Sequence, residues 1–363
     1  MPLPFILAGA AAVAGIAGIA KGAESVSKNS EAKKLNQEAK SLFENSKEQL
    51  EITKNNTVEE LVHLGKLKLN IWDKQLGRFV TLFTKVKNIN LEGQAVVDES
   101  LSNKIEISSE ELVEMKEMSI KAGEIVSSGF SSLGAGAIAG VASYGGAMMF
   151  ASASTGTAIS ALSGVAATNA TLAWFGGGSL AAGGLGMAGG AAVLGGIVAG
   201  PVIAVGGMLM AAKARKNLVE AKKTYAKTKR AVEEMKTAIS LLESIEAMSA
   251  QFTDVIQDMS DRMTIVLNKL EESLSNFDKE RETSILFRIK KFVFNLFGRD
   301  VHIDYSELNQ DIKSLMHMTY QFAQTLKILL ETPILKEDGT LDPECSNVLE
   351  PSYQLLEAAV NEG

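Results

Sequence analysis

Residues 125–212 contain no Lys, Arg, Asp, Glu or His, although charged residues make up 22% of the chain. These 88 positions are mainly Gly, Ala and Ser with scattered Leu, Ile, Val and Met, and they hold 21 of the 32 glycines. So long an uncharged run has to leave water, either into lipid or under the rest of the protein. A transmembrane helix takes about 20 predominantly apolar residues, so more than one span fits. The best two windows are 133–153 and 191–212, with a more polar third at 155–175.

The composition of the run says more than its length. Residues that favour the bilayer centre, such as Leu, contribute roughly −0.3 to −0.6 kcal/mol each, and the run has only seven leucines. Insertion is therefore expected to be marginal. Small residues recur instead at four-residue spacing: Ser132, Gly136 and Gly140, then Gly186 and Gly190, then Gly196 and Gly200. That spacing lets helix backbones approach closely, as in membrane helix packing. The alternative is a flexible glycine-rich buried hairpin. Because Gly costs roughly 1 kcal/mol relative to Ala inside a helix, helices here are expected only when packed against something.

Beyond Ala212 the change is abrupt. Lys213, Arg215, Lys216, Lys222, Lys223, Lys227, Lys229 and Arg230 are accompanied by a single acid, Glu220. Basic residues next to an apolar span orient it and attract anionic lipid, by about 1 kcal/mol each near the surface, so the cluster is read as lipid-facing. A solvated coiled-coil face is the alternative. With two spans forming a hairpin, the basic flank places both ends on the cytoplasmic side.

The flanks are helical. Trp72, Leu76, Phe79, Phe83 and Val86 alternate steps of four and three, the seam of a coiled coil. Leu35, Leu42, Leu61 and Leu64 mark the same face less regularly. A helix of about 60 residues from position 24 would be roughly 90 Å long. Residues 88–93 end it, and Ile105 and Ile107 allow a short strand or irregular connection. Ser108 and Glu111 have the spacing of a capping box, opening a helix that is expected to run without a breaker into the apolar run. A second long helix is expected from Lys213 to about Phe277, with Ile239, Leu242, Ile245, Phe252, Met259, Met263, Val266, Leu270 and Leu274 on its apolar face. Two such helices joined by an apolar hairpin would pack antiparallel and bury each other's stripe.

The ends are less determined. Residues 5–20 form an apolar run with no basic residue before it, read as a retained hydrophobic helix; a cleaved signal peptide and a soluble core helix are the alternatives. Residues 284–299 are aromatic and basic, and suit an interfacial amphipathic helix or a core helix equally. An amphipathic helix at 305–330 stopped by Thr332 and Pro333, a turn at Asp338 and Gly339, and a last short helix at 343–360 complete the chain. The expected organisation is a hydrophobic N-terminal helix (1–22), a long coiled-coil-like helix (23–93), a connector with a capped helix (94–124), the glycine-rich region (125–212), a basic start with the second long helix (213–280) and a helical C-terminal region (281–363).

Little points to chemistry. Net charge is −7, which argues against nucleic acid. Cys345 is the one cysteine, so neither an intramolecular disulfide nor a Cys-based metal site is possible. Residues 184–189 match GxGxxG, but no strand precedes them and no acidic residue follows for more than 30 residues, where a dinucleotide site wants one at about 20. His63, His302 and His317 are scattered, each read as a surface or helix-face residue. Met148, Met149, Met208 and Met210 read as packing. No catalytic, cofactor or metal site is expected, and no enzyme.

Residues 168–184, with Phe5 to Gly22 and the Leu76-Gly77-Arg78-Phe79 region, resemble a group of bacterial proteins that carry a glycine-rich apolar centre between long helices. The resemblance implies a bacterial origin and assigns no activity. More loosely, the layout is similar to that of helical pore-forming toxins and of apolipoprotein L, whose apolar element is sheltered in a soluble form and inserts after a trigger. The expectation is therefore an all-α, elongated antiparallel long-helix bundle with a Gly/Ala-rich hairpin and a small C-terminal helical bundle. Its partners would be membrane lipids and further copies of itself, and it would be membrane-associated with a soluble cytoplasmic pool. The alternatives are a constitutively anchored coiled-coil scaffold with a protein partner, and a soluble oligomer that buries the glycine-rich segments between subunits.

Overall fold

The computed structural model describes residues 17–89, 91, 109–130, 135–144, 218–285, 287–289, 292, 302–336 and 340–361. The class expected from the sequence is what they adopt: the described residues are all-α, apart from two strands of two residues each. Helix α1 (Ala17–Ile71) passes through a π turn (Trp72–Leu76) into α2 (Gly77–Phe83), and strand β1 (Val86–Lys87) follows. Then come α3 (Ser109–Ser127), α4 (Ala135–Tyr144), α5 (Leu218–Thr283) and strand β2 (Ile303–Asp304). A 3-10 turn (Tyr305–Glu307), α6 (Gln310–Glu331), a second 3-10 helix (Pro343–Val348) and α7 (Leu349–Asn361) end the chain.

These residues form two compact units. The first holds 17–52 of α1 and 218–239 of α5. Within it Ala32, Ala39, Phe43 and Leu50 are buried at steps of seven, four and seven, with Ala221, Ala231, Met235 and Ala238 on α5. Small residues on both segments leave little apolar area per turn, which makes this a thin seam.

The second unit holds the remainder and one apolar cluster. The seam read from the sequence is its spine: Trp72, Leu76, Phe79, Phe83 and Val86 are all buried, as are Leu242, Ile245, Phe252, Met259, Met263, Val266, Leu270 and Leu274 on α5. Helices α6 and α7 contribute Ile312, Met316, Phe322, Leu326, Leu330, Leu355 and Leu356 to the same cluster.

The expected antiparallel pairing of the long helices is overturned: α1 and α5 run parallel. In the second unit the Thr57 hydroxyl donates to the Leu242 carbonyl (3.2 Å), Thr253 to Glu60 (3.2 Å), Gln75 to Thr264 (3.3 Å) and Arg78 to Asn268 (2.8 Å), so partner numbers rise together. In the first unit Lys222 lies 3.7 Å from Glu31. A hairpin between the two helices would enforce antiparallel packing, but the connection is residues 84–217, long enough to carry the chain back to the starting end. On the way, α3 packs against the π turn and α2, with Gly123 facing Asp73 and Gly77 facing Ser119. The two strands are parallel as well, Val86 opposite Ile303 and Lys87 opposite Asp304, and Asn88, at φ 56°, donates its side-chain amide to Asp304 at 2.6 Å. The strand suspected at 105–107 lies outside the described residues.

A second expectation fails at the end of α3. The helix runs only three residues into the charge-free region and stops at Ser127. Gly129, at φ 67°, donates its N–H to the Val126 carbonyl (2.9 Å), and the Phe130 N–H reaches the Ile125 carbonyl (3.2 Å). This is a Schellman motif, which ends helices wherever Gly supplies the left-handed residue. Gly129 is therefore the breaker.

Candidate functional site

Beyond the turn at 128–130, helix α4 is the described part of the glycine-rich region, and its seat is the site with most to say about function. Ile138, Ala139, Gly140, Val141, Ala142 and Ser143 are all buried, and the apolar ones belong to the second unit's core. A ten-residue helix rich in Gly and Ala is too short to be stable in water alone, so its neighbours hold it. Two contacts with α1 do so from one side. A Cβ on Gly65 would collide with the Ile138 carbonyl, so the absence of a side chain there lets the two backbones touch. One turn on, Lys68 has no solvent exposure, and its Nζ lies 3.3 Å from the Ala142 carbonyl oxygen.

The same Nζ lies 3.3 Å from the Thr332 carbonyl oxygen, at the C-cap of α6. Lys68 thus ties the C-terminal ends of two helices, whose last carbonyls have no intrahelical partners. Neither α4 nor α6 carries a basic residue in its own last turn. The next carbonyl of α4, that of Ser143, accepts from both Ile334 N–H (2.7 Å) and Leu335 N–H (2.9 Å). The loop that supplies them is braced by an antiparallel bridge between Leu335 and Leu341 and by Asp342 N–H on the Ile334 carbonyl (2.8 Å). Ser143 closes the turn with its hydroxyl on the Ala139 carbonyl (2.8 Å). The chain leaves α4 through a clamp made of one side chain and two backbone N–H groups.

The electrostatics of Lys68 follow from where it sits. The face of Phe252 lies 5.6 Å from Nζ, and the thiol of Cys345, itself buried, is the titratable group whose charge it feels. Helix C-termini favour a cation by about 0.3–2 kcal/mol, whereas taking an ammonium out of water costs several kcal/mol. Desolvation wins: Lys68 is pulled down to about 7, with Cys345 opposing weakly. Burial likewise pushes the Cys345 thiol up and His317 down. Glu331, the last residue of α6, is raised by burial and by Glu114 and Glu111, against the pull of Lys327.

The clamp escaped sequence reading, although a signal was there. Leu61, Leu64, Lys68 and Trp72 follow one another at three and four residues, so a lysine occupies a seam position. His317 lies on α6, and its helix face is a buried one; among the described residues neither ring nitrogen is hydrogen-bonded. His63 is exposed beside Glu60 (3.9 Å) and His302 is half-buried.

Of the small residues singled out for packing, Gly136 and Gly140 lie on α4; Ser132, Gly186, Gly190, Gly196 and Gly200 lie outside the described residues. Of the basic cluster, Lys213, Arg215 and Lys216 also lie outside them. Lys222, Lys223, Lys227, Lys229 and Arg230 are exposed on α5. Lys223 pairs with Glu220 (3.8 Å), and Lys229 sits 5.5 Å from the face of Tyr225. In the aromatic and basic segment Ile285, Ile289 and Phe292 are exposed, while Phe287 stacks on Arg281 at 4.3 Å. Beside the π turn, a groove of about 280 Å³ lined by Asp73, Arg78, Ser119 and Glu271 already has Arg78 paired with Glu271 at 2.7 Å. Among the described residues no helix is long and apolar enough to cross a membrane. No protein-family model, curated protein or solved structure matches the chain.

Proposed function

We propose that the chain is a membrane-interacting helical protein that keeps its glycine-rich region sheltered in the bundle and inserts it conditionally, assembling with copies of itself through glycine-faced helices to permeabilise or remodel a bilayer. The observation that carries this reading is the seat of α4. The head of an uncharged region is buried against Gly65 and Lys68 of α1 and held by the loop at 334–335. A shelter of this kind is needed by an inserter and is superfluous in a permanent anchor, whose apolar part lipid already covers. The exposed lysines of α5 supply a surface that anionic headgroups would attract.

The test is fractionation of cells expressing the intact chain, followed by leakage of dye from liposomes of mixed zwitterionic and anionic lipid. A soluble pool that releases dye on a trigger is the expected result. Protein found wholly in carbonate-resistant membrane would instead establish the anchored scaffold. Soluble protein that neither binds nor breaches liposomes under any trigger ends the membrane reading.

A further inference from the structure

We propose that Lys68 is a proton-operated latch: gain of a proton by its amine unseats α4 from the bundle, so that acidification is a trigger that frees the head of the glycine-rich region. This rests on the sheltering role assigned above and names its regulation. The acceptors around the amine match the donor count of its neutral form. An uncharged lysine has two N–H donors, and Nζ has two carbonyl acceptors, Ala142 and Thr332, at 3.3 Å each. The ammonium form has three donors, and Phe252 presents only a ring face toward it. Among the described residues no carboxylate pairs with it: the titratable group that reaches it electrostatically is Cys345, from the 3-10 helix. Helix α4 brings no charged residue, since 135–144 has none. Helix α6 ends with Glu331, which burial holds toward its neutral form.

A proton added to Lys68 therefore places, between the ends of α4 and α6, a buried charge that has no counter-ion among the described residues and one N–H more than the two carbonyls accept. The cheapest relief is to let water in at α4, the shorter of the two helices. Lys68 titrates at about 7, so the change falls within a physiological range of acidity.

Hydrogen exchange of residues 135–144, followed by mass spectrometry on the full-length protein at pH 8 and pH 6 and corrected for intrinsic rates, reads the latch directly. The protection factor is expected to fall about tenfold between the two pH values, since one proton couples to opening at about tenfold per pH unit until Lys68 of the closed form is itself charged near 7, while the core of α5 stays protected. Lys68→Met is expected to remove the pH dependence with protection intact, and Lys68→Arg, charged at both pH values, to leave α4 open at pH 8. Equal protection of the wild type at both pH values overturns the latch, and so does a Lys68→Met variant that keeps the fall. If neither variant folds by circular dichroism, nitrogen NMR of lysine-labelled wild type decides: one side-chain amine titrating near 7 supports the latch, and none below 9 overturns it. Dye release separates the two ideas. Loss of protection at pH 6 without leakage keeps the latch and removes the membrane reading. Leakage that is equal at both pH values, from protein whose protection does not change, does the reverse.

Discussion

A lysine and a histidine are the two buried bases that weigh most in the second unit, and both are costly for the same reason. Burial favours the neutral form, so each has a folded-state pKa below its unfolded value. The stability that such a group contributes is full above the unfolded pKa and is lost as pH falls through the folded one. For Lys68 that window runs from about 10.5 down to about 7, with the folded-to-unfolded ratio changing about tenfold per pH unit inside it. For His317 the loss begins below its ordinary value. Glu331 works in the opposite sense, since its raised pKa gives a contribution present in acid and lost as pH rises. The lysine window is the widest, so the thermal midpoint of the intact protein should rise from pH 6.5 to pH 9, as followed by circular dichroism; a midpoint that falls across this range contradicts the assignment. His317→Leu should raise the midpoint by the equivalent of about 1 kcal/mol at pH 7, because it removes two buried nitrogens that have no partner.

At the scale of elements, glycine has three different uses here. Gly65 permits the close contact of α1 with α4, Gly129 ends α3, and Gly77 leaves room for Ser119 of α3. Substituting Ala has opposite local and tertiary effects at the first of these. In an isolated helix Gly65→Ala would gain about 1 kcal/mol, but its methyl group would meet a backbone carbonyl that has nowhere to move. Overpacking of this kind costs about 1–3 kcal/mol, so Gly65→Ala is expected to lower stability and to open residues 135–144 to hydrogen exchange while the seam at Phe79 and Phe252 stays closed. Unchanged exchange in α4 would mean that the contact does not hold the helix. At Gly129 nothing lies near the added methyl, and the loss in Gly129→Ala should be limited to about 1–2 kcal/mol of left-handed strain, measured as a shift in the urea midpoint.

For the whole molecule, the parallel course of α1 and α5 is the feature with most consequence. It places the start of α5, where the basic cluster lies, beside the early part of α1, as the pairing of Lys222 with Glu31 records. Zero-length carbodiimide cross-linking should therefore join Lys222 to Glu31 and Lys327 to Glu111, the latter 3.4 Å apart. A link from Glu60 to Lys279, both in the second unit, would restore the antiparallel arrangement.

Sequence by itself determined what depends on local periodicity and on composition. The seam from Trp72 to Val86 and the stripe from Leu242 to Leu274 were legible because each side chain's burial repeats with the helix turn, and the stop after Glu331 because Pro333 cannot continue a helix. The charge-free region was legible because water rejects it whatever the fold. Tertiary structure alone decided direction, closure and the clamp. Two amphipathic stripes of similar period match in either direction, and only the contacts of the folded second unit, Thr57 with Leu242 through Arg78 with Asn268, show the parallel one. Lys68 reads as one more surface lysine until two helix ends, remote in sequence at Ala142 and Thr332, are brought to its amine. Its environment is set by groups that no local pattern joins, and so is the proton equilibrium on which the latch depends.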